Sequence, residues 1–265
     1  MSATPKKIFL TGASAGIGLA IAQHLVAQGH QVWAASRHPQ PQPGIHPVTL
    51  DLLQPATLRP AFEKALTEAG HFDALINNAG AGVFGPIDQT PVESFRDQFQ
   101  LMVLGPVELM QAALPHYRQQ GHGTIINITS MAAEFPIPYM AGYNAAKAAL
   151  SAITASARIE LAGTPIRVVE LQPGDINTGF HESTQRVAGA EEELPRRVWK
   201  SQTRTMAAAP PPQRVAEAVA RILEMKCPPP VVRVGDFFQA RLAPLGQRLL
   251  PSRWMEWMIR RYYGL

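Results

Sequence analysis

Short apolar runs alternate with longer amphipathic stretches along most of this chain of 265 residues. The apolar runs are rich in Val, Ile and Phe and end at glycine or polar residues, which predicts strands at 6–12, 31–36, 46–52, 72–80, 123–130, 166–174 and 231–235. The amphipathic stretches predict helices at 18–28, 56–69, 91–119, 142–162 and 213–226. Strands that alternate with helices indicate an α/β fold with a doubly wound parallel sheet covered on both faces.

The domain organisation follows from the same pattern. No long polar or low-complexity linker interrupts it, so we expect a single domain over residues 1–265. Residues 180–209 are the least regular part, and a long irregular insertion after a late strand predicts a substrate lid. Residues 236–265 predict a C-terminal helical extension.

The last helix of this extension is amphipathic. Arg253, Glu256 and Arg260 fall largely outside its apolar stripe, which contains Trp254, Trp257, Met258, Tyr262 and Leu265. Such a helix can anchor a peripheral membrane protein, cover a substrate site or pack on a neighbouring subunit. We favour the last two alternatives over membrane contact, because amphipathic helices of globular proteins usually bury their stripe within protein.

Composition and charge narrow the classes of function. A content of 46% hydrophobic and 17% charged residues is globular rather than disordered. The net charge of +4 slightly favours anionic small ligands, and no sequence signature predicts a nucleic-acid partner or a metal site. The single cysteine, Cys227, cannot form an intrachain disulfide, and no signal peptide or membrane span is predicted, so we expect a cytoplasmic protein.

A glycine-rich turn follows the first predicted strand. The segment TGASAGIG places Gly12, Gly16 and Gly18 where a helix begins, so that the backbone can approach a pyrophosphate and the helix dipole can favour its charge. Three glycines alone are weak evidence, because glycine also serves simple strand-to-helix turns. Their position in the first βα unit favours a dinucleotide site.

The second predicted strand ends at Ser36 and Arg37, where a dinucleotide fold meets the adenosine ribose. An acidic residue at this place accepts hydrogen bonds from both ribose hydroxyls, whereas a guanidinium can pair with a 2′-phosphate. The sequence therefore predicts NADP(H) in preference to NAD(H). The alternative is that Arg37 is an ordinary solvated surface arginine.

Three polar residues could carry the chemistry. Ser130 ends a predicted strand, and Tyr143 and Lys147 lie four residues apart on one face of the following helix. A nearby ammonium would stabilise the Tyr143 phenolate and lower its pKa, and the Ser130 hydroxyl would hold a substrate oxygen. A Tyr and a Lys at this spacing are otherwise ordinary on a helix, so the interpretation depends on their combination with Ser130 and the glycine turn.

Jointly these motifs resemble those of the short-chain dehydrogenase/reductase family over about residues 6–235. The matching pieces are TGASAGIG at 11–18, Asp51 with Leu52, NNAG at 77–80, Ser130, YNAAK at 143–147 and QPGDINT at 172–178. The resemblance implies a Rossmann fold, a nicotinamide cofactor and a substrate with an alcohol or carbonyl group. It implies that Tyr143 is the acid/base, that Lys147 activates it and anchors the ribose, and that Ser130 orients the carbonyl. A homodimer or homotetramer through the long central helices is expected.

The same resemblance implies a set of cofactor-binding residues. Asp51 would bind the adenine edge, and Asn77 would be structural rather than ligand-binding. The remaining candidates would follow the dinucleotide from its phosphates to the nicotinamide. The whole set is Gly12, Ser14, Gly16, Ile17, Gly18, Ser36, Arg37, Asp51, Leu52, Asn78, Ala79, Gly80, Tyr143, Lys147, Pro173, Gly174, Ile176 and Thr178.

One position departs from the family pattern. Members usually carry an asparagine in a stretch like FxxNxxGP, and here the aligned stretch FQLMVLGP has Met102. That asparagine is thought to hold a water that connects the lysine to solvent, and methionine cannot hydrogen-bond a water comparably. Slow turnover, a rerouted relay or an NADP-binding regulator with little catalysis are the alternatives.

The residues expected to face the nicotinamide are mostly apolar. They predict a lipophilic ketone, aldehyde or secondary alcohol rather than a sugar or a carboxylate. The tail after residue 235 resembles those of hydroxysteroid- and retinol-dehydrogenase-like members. The expected substrate-side residues are Val83, Phe84, Phe135, Pro136, Ile137, Met140, Phe180 and His181, of which His181 has no catalytic assignment.

Overall fold

A computed structural model describes residues 4–39, 41–236 and 250–265. Its strands are β1 (Lys7–Thr11), β2 (Gln31–Ser36), β3 (Ile45–Thr49), β4 (Ala74–Asn77), β5 (Val83–Phe84), β6 (Gly123–Ile128), β7 (Ile166–Pro173), β8 (Gln185–Arg186) and β9 (Val231–Val234). Seven of them form one sheet in the order β3-β2-β1-β4-β6-β7-β9, and every neighbouring pair is parallel. The predicted doubly wound α/β fold is confirmed.

Helices flank this sheet. They are α1 (Gly16–Ala27), α2 (Pro55–Ala69), α3 (Val92–Phe99), α4 (Gly105–Gln120), α5 (Ala141–Glu160), α6 (Phe180–Ser183), α7 (Glu193–Ala208), α8 (Gln213–Glu224) and α9 (Ser252–Tyr263). Of the predicted extension over 236–265, residues 237–249 lie outside the described residues.

Two predictions of local structure differ in detail from the structure. Residues 92–120 are helical without a break, as expected for 91–119, but the segment Gln100–Leu104 between α3 and α4 is π-helical. The segment 180–209 is more regular than expected, because it contains α6, β8 and α7. α7 has few apolar residues, and only Pro195, Val198 and Gln202 are buried, so its helical period is weak in the sequence.

Two apolar layers cover the two faces of the sheet. In β1, Ile8 and Leu10 pack with α1 and α8 on one face, whereas Phe9 packs on the other with the rings of Phe62 and Phe72, whose centroids are 5.0 and 5.5 Å away. A strand covered on both faces needs apolar side chains at every position, which explains its uninterrupted IFL run. Because the strands are parallel, their carboxyl ends share one edge, and the functional cavity lies there.

Candidate active site

A cavity of about 790 Å³ opens at the carboxyl edge of the sheet. Every residue predicted to be catalytic or cofactor-binding lines its wall, from Gly12 in the glycine turn to Thr178 after β7. These residues come from loops and helix ends far apart in the chain, and only the parallel sheet brings them together. The structure therefore places the whole predicted set around one space large enough for a dinucleotide and a small substrate.

The glycine turn is packed closely against neighbouring backbone and presents uncapped N–H groups. Gly12 has φ +69, and a Cβ there would lie 2.7 Å from the Cα of Ala79. A Cβ on Gly18 would lie 2.1 Å from the carbonyl oxygen of Gly12. α1 begins with no side-chain cap at Ala15 and no acidic residue in its first turn, which leaves backbone N–H groups available to an anion.

Asn78 braces this turn from the neighbouring strand. Its Nδ2 donates to the carbonyl oxygens of Thr11 and Gly12, at 2.9 and 3.1 Å. The Thr11 hydroxyl accepts from the backbone N–H groups of Asn78 and Ala79. Asn77 is buried, and its Nδ2 donates to Asn127 Oδ1 at 2.8 Å. The structure thus gives both asparagines scaffold contacts, although Asn78 also faces the cavity.

The adenosine end is polar and open. Arg37 is exposed at the end of β2, and among the described residues it has no ion pair. Asp51 Oδ1 accepts from the backbone N–H of Leu53 at 3.0 Å, which fixes its carboxylate beside the cavity. The guanidinium is therefore free to pair with an anionic ligand group.

Tyr143, Lys147 and Ser130 meet at the centre of the cavity. Tyr143 and Lys147 project from the same face of α5, and the Lys147 Nζ lies 5.8 Å from the Tyr143 ring centroid. The buried Nζ donates to the Ile128 carbonyl at 2.9 Å. The Ser130 hydroxyl hydrogen-bonds the Tyr143 phenol and also accepts from the backbone N–H of Ala132 at 3.0 Å.

The pKa of Tyr143 differs from the sequence-based expectation, and that of Lys147 is shifted as well. Burial raises the pKa of Tyr143 to about 12; the Ser130 hydrogen bond opposes this shift, and the charge of Asp175 adds to it. Burial lowers the pKa of Lys147 to about 8. The expectation that the pKa of Tyr143 is lowered was therefore wrong for the protein without ligand, because burial is the largest cause of the shift.

Met102 lies beside the same lysine. It is fully buried within the π-helical segment Gln100–Leu104. A Cβ built on Gly80 would lie 3.4 Å from the Met102 Sδ and 3.6 Å from the Lys147 Nζ, so the thioether and the ammonium share one side of the cavity floor. A thioether accepts hydrogen bonds only weakly, so it gives this ammonium little polar support.

A polar network that the sequence did not predict holds the loop after Ser130. The Glu134 carboxylate accepts from Gln172 Nε2 at 2.9 Å and from Arg233 Nη2 at 2.7 Å, which connects the loop to β7 and β9. Asn144, inside YNAAK, holds the next turn by bonding both the N–H and the carbonyl of Ile137, at 3.2 and 2.9 Å. These contacts join residues distant in sequence or shape an irregular turn, so no periodic signal marks them.

The substrate end of the cavity agrees only in part with its prediction. Val83, Phe135, Pro136, Ile137 and Phe180 line the wall. The prediction was wrong for the other three candidates, which are buried and do not line the cavity. Phe84 and Met140 belong to an apolar cluster that packs against Ile137 and Phe180, and His181 is buried beside Trp199.

Local contacts explain this difference. The Phe84 ring packs edge-on against Trp199, with centroids 4.9 Å apart. The His181 ring stacks on the same indole at 3.8 Å, and its Nε2 is hydrogen-bonded to Thr203 at 2.8 Å. Burial lowers the pKa of His181. Because α7 was not predicted, its Trp199 could not be expected to cover these residues.

The C-terminal helix α9 closes the substrate end. One of its faces adds Met255, Met258, Ile259, Tyr262 and Tyr263 to the cavity wall. The Tyr262 hydroxyl donates to Asp175 Oδ2 at 3.0 Å, which connects α9 to the loop after β7. The sequence signal for this cavity-facing side was the helical spacing of apolar residues at 255, 258, 259 and 262. The predicted stripe included the neighbouring tryptophans instead of Met255 and Ile259.

The part of the chain that the structure describes lacks two further features. No group of three or more His, Cys, Asp or Glu side chains there could hold a metal ion. No helix in that part is long and apolar enough to cross a membrane.

The geometry defines a class: an open parallel α/β sheet with a phosphate cradle and a Ser, Tyr and Lys in one cavity. Comparisons with known proteins extend this description. The short chain dehydrogenase family model matches residues 6–188. The 3-ketodihydrosphingosine reductase of Bacteroides thetaiotaomicron is 32% identical over 98% of this chain and 99% of its own.

Solved structures show the same likeness. A short-chain dehydrogenase from Burkholderia cenocepacia in complex with NADP has a TM-score of 0.70 and 25% identity, and the match covers 95% of this chain and 100% of that one. The 3-ketoacyl-(acyl-carrier-protein) reductase from Brucella melitensis complexed with NADH has a TM-score of 0.74 and 26% identity, covering 87% and 96%. This chain belongs to the short-chain dehydrogenase/reductase family and is an oxidoreductase.

Proposed function

We propose that this oxidoreductase uses NADP(H) and transfers a hydride between the nicotinamide and a lipophilic ketone, aldehyde or secondary alcohol. One observation carries the proposal: the Tyr143 phenol, the Ser130 hydroxyl and the Lys147 ammonium line the same cavity as the uncapped glycine turn. A site that combines a dinucleotide cradle with a proton donor and an oxygen-binding hydroxyl is suited to carbonyl reduction.

The residues present fit a dinucleotide. The free N–H groups at the start of α1 would hold the pyrophosphate, and the close packing of Gly12 against Ala79 and of Gly18 against the Gly12 carbonyl would give the turn its shape. Lys147 donates one hydrogen bond within the described protein and has further N–H donors for ribose hydroxyls. When bound, the reduced nicotinamide supplies a hydride to the carbonyl carbon.

The preference for NADP(H) is supported by Arg37. Its exposed guanidinium, without an ion pair among the described residues, lies where a 2′-phosphate would be bound. Asp51 stands beyond it and is held by the Leu53 backbone. The two structural relatives carry NADP and NADH respectively, so their likeness favours neither cofactor, whereas this guanidinium favours NADP(H).

The raised pKa of Tyr143 suits the reductive direction. A phenol with a pKa of about 12 is protonated at neutral pH and can donate its proton as the carbonyl oxygen gains charge. The Ser130 hydroxyl would hold the same oxygen, and the ammonium of Lys147 would stabilise the developing negative charge. The hydride forms the new C–H bond and the Tyr143 proton forms the O–H bond.

The substrate end supports an apolar substrate. Phe180, Met206, Met255 and Met258 line it, and flexible thioether side chains accommodate long or irregular apolar groups. The Bacteroides relative is a 3-ketodihydrosphingosine reductase, so 3-ketodihydrosphingosine is the first ketone to test.

The oligomeric state of the protein and its location in the cell stay predictions. A homodimer or homotetramer is supported by the exposed Leu104 beside α4 and by Ile159 on α5, which is 75% exposed. A cytoplasmic location is supported by the single free thiol of Cys227.

The catalytic assignment is tested with Tyr143→Phe, which removes only the phenolic oxygen. We expect turnover of any accepted ketone to fall more than about a thousandfold, while the NADPH dissociation constant stays within about twofold, because the ring and Lys147 remain. Titration of NADPH fluorescence measures binding on the same samples. Substantial turnover by this variant would refute the role of Tyr143.

A cofactor-binding regulator is the second candidate, and the buried Met102 beside Lys147 favours it. The Met102→Asn variant separates the two candidates. A wild type without turnover on a broad carbonyl panel, combined with an active variant, would support the regulator. Comparable turnover of both proteins would support the enzyme.

A further inference from the structure

The outward face of α9 carries two exposed indoles. Trp254 is 60% exposed and Trp257 is 57% exposed, and their rings form an edge contact with centroids 6.3 Å apart. Neither residue lines the cavity. Two adjacent exposed tryptophans are unusual for a surface that contacts only water.

The opposite face of the same helix is already in use. Met255, Met258 and Ile259 are half-buried and line the cavity. The helix is also held by the bond from the Tyr262 hydroxyl to Asp175 and by that from the Ser201 hydroxyl to the Tyr262 carbonyl, at 3.0 and 3.3 Å. α9 therefore already packs on the protein through the face opposite the tryptophans. The exposure of the two indoles is not explained by a helix that has yet to pack.

The charges around the indoles are mainly positive. Arg253, Arg260 and Arg261 are exposed on α9, and Glu256 is the one acidic residue of the helix. At 100° per residue, Arg261 falls between the two tryptophans, and Arg253 and Arg260 fall next to Trp257. Indoles flanked by guanidinium groups match the headgroup region of an anionic bilayer, where tryptophan rings settle and basic side chains meet phosphate.

We propose that the outward face of α9, formed by Trp254, Trp257, Arg253, Arg260 and Arg261, docks the protein on an anionic lipid bilayer. The same helix is a wall of the substrate end, so docking brings the mouth of the cavity to the headgroup region. An apolar ketone dissolved in the membrane then reaches Met255 and Met258 without crossing water. The second part of this inference rests on the proposed function, whereas the docking itself does not.

Docking is measured by flotation of the full chain with phosphatidylcholine vesicles, with and without about one third phosphatidylglycerol. We expect binding to the anionic vesicles that falls at high salt. Trp254→Ser/Trp257→Ser should lower the bound fraction at least about tenfold. Arg253→Gln/Arg261→Gln should weaken binding to anionic vesicles while leaving that to neutral ones unchanged.

The matched control is Ile87→Ser/Val92→Ser, which removes two exposed apolar side chains, 71% and 64% exposed, far from α9 in the sequence. We expect it to bind like the wild type. Circular dichroism and NADPH binding check that each variant is folded. Tryptophan emission of the wild type should shift to the blue with vesicles, and that of the Trp254→Ser/Trp257→Ser variant should not.

Two results would overturn the proposal. One is absence of binding, or equal binding by the wild type and the tryptophan variant. The other is a wild type that binds no vesicles, together with a tryptophan variant whose molar mass by light scattering is lower than that of the wild type. That result would make this face an interface between copies of the chain. Neither flotation nor light scattering depends on turnover. A negative result for membrane docking can therefore be distinguished from a failure of the proposed carbonyl reduction.

Discussion

The two ends of the cavity are built in different ways. The cofactor end consists of backbone, short side chains and fixed hydrogen bonds, such as those of Asn78 to Thr11 and Gly12. The substrate end includes long, flexible apolar side chains from α9 and Met206 from the end of α7. The glycine turn has no space to adjust at Gly12 and Gly18, whereas thioether side chains can repack.

This difference shows where specificity is determined. A pyrophosphate is the same in every dinucleotide, so a rigid backbone cradle suits it. Substrates differ in length and shape, so a wall of adaptable side chains can be changed without disturbing the sheet. We therefore expect substitutions at the cofactor end to abolish function and substitutions at the substrate end to shift selectivity.

The largest effect is expected for Gly12→Ala. A Cβ there would lie 2.7 Å from the Cα of Ala79, a backbone atom that cannot move aside. We expect NADPH affinity to fall more than about a hundredfold, which equals about 3 kcal/mol, as measured by calorimetry.

The matched control is Gly163→Ala. Gly163 also has a positive φ, +79, but no atom lies within 4 Å of its added Cβ. The Gly163→Ala variant should lose about 1 kcal/mol of folding free energy through backbone strain, and its NADPH affinity should be unchanged. Equal loss of affinity in both variants would mean that crowding at Gly12 is not the cause.

Lys147→Met should abolish turnover and yet stabilise the protein without ligand. The pKa of Lys147 is lowered from 10.5 to about 8, so its burial costs about 3 kcal/mol at most at neutral pH. For a lysine whose pKa is lowered on folding, this cost is fully present below pH 8 and disappears as pH rises to 10.5.

Urea unfolding at several pH values checks this prediction. The stability advantage of Lys147→Met over the wild type should be largest below pH 8 and should shrink as pH rises toward 10.5. An advantage independent of pH would show that improved packing, rather than the removal of a desolvated charge, explains the gain.

Arg37→Asp should change the preference between NADPH and NADH and leave the hydride-transfer reaction itself unchanged. Loss of a charge-assisted pair with the 2′-phosphate is worth about 10- to 100-fold in preference for NADPH over NADH. The measurement is kcat/KM for each cofactor with one ketone, and Arg37→Gln separates charge reversal from loss of the guanidinium. An unchanged ratio would make Arg37 a solvated surface residue.

Met258→Ala should give the smallest effect. The lost apolar contact is expected to lower kcat/KM for a long-chain ketone by about tenfold or less, with little change for a short ketone. NADPH affinity should stay the same, because Met258 lies at the other end of the cavity. A large loss of NADPH affinity would contradict the separation of the two ends.

The cofactor end could be predicted from the sequence because its signals are local. The glycines at 12, 16 and 18, the pair at 143 and 147, and the alternation of strands and helices all fall within short windows. Each predicted residue of that end lines the cavity.

The substrate end could not be predicted as well, because packing between distant segments decides it. Phe84 and His181 were expected to face the nicotinamide, but Trp199 of the unpredicted helix α7 covers them. The pKa of Tyr143 was predicted to fall and instead rises, because burial depends on the whole surrounding fold.

The most direct test of the account follows the absorbance of NADPH while the wild type is mixed with apolar ketones and aldehydes, and in parallel with sugars and keto acids. We predict that NADPH is consumed in step with alcohol formation from the apolar carbonyls, and far more slowly with the polar ones. Failure to oxidise NADPH with any of these carbonyls, by a folded protein that binds NADPH, would contradict it.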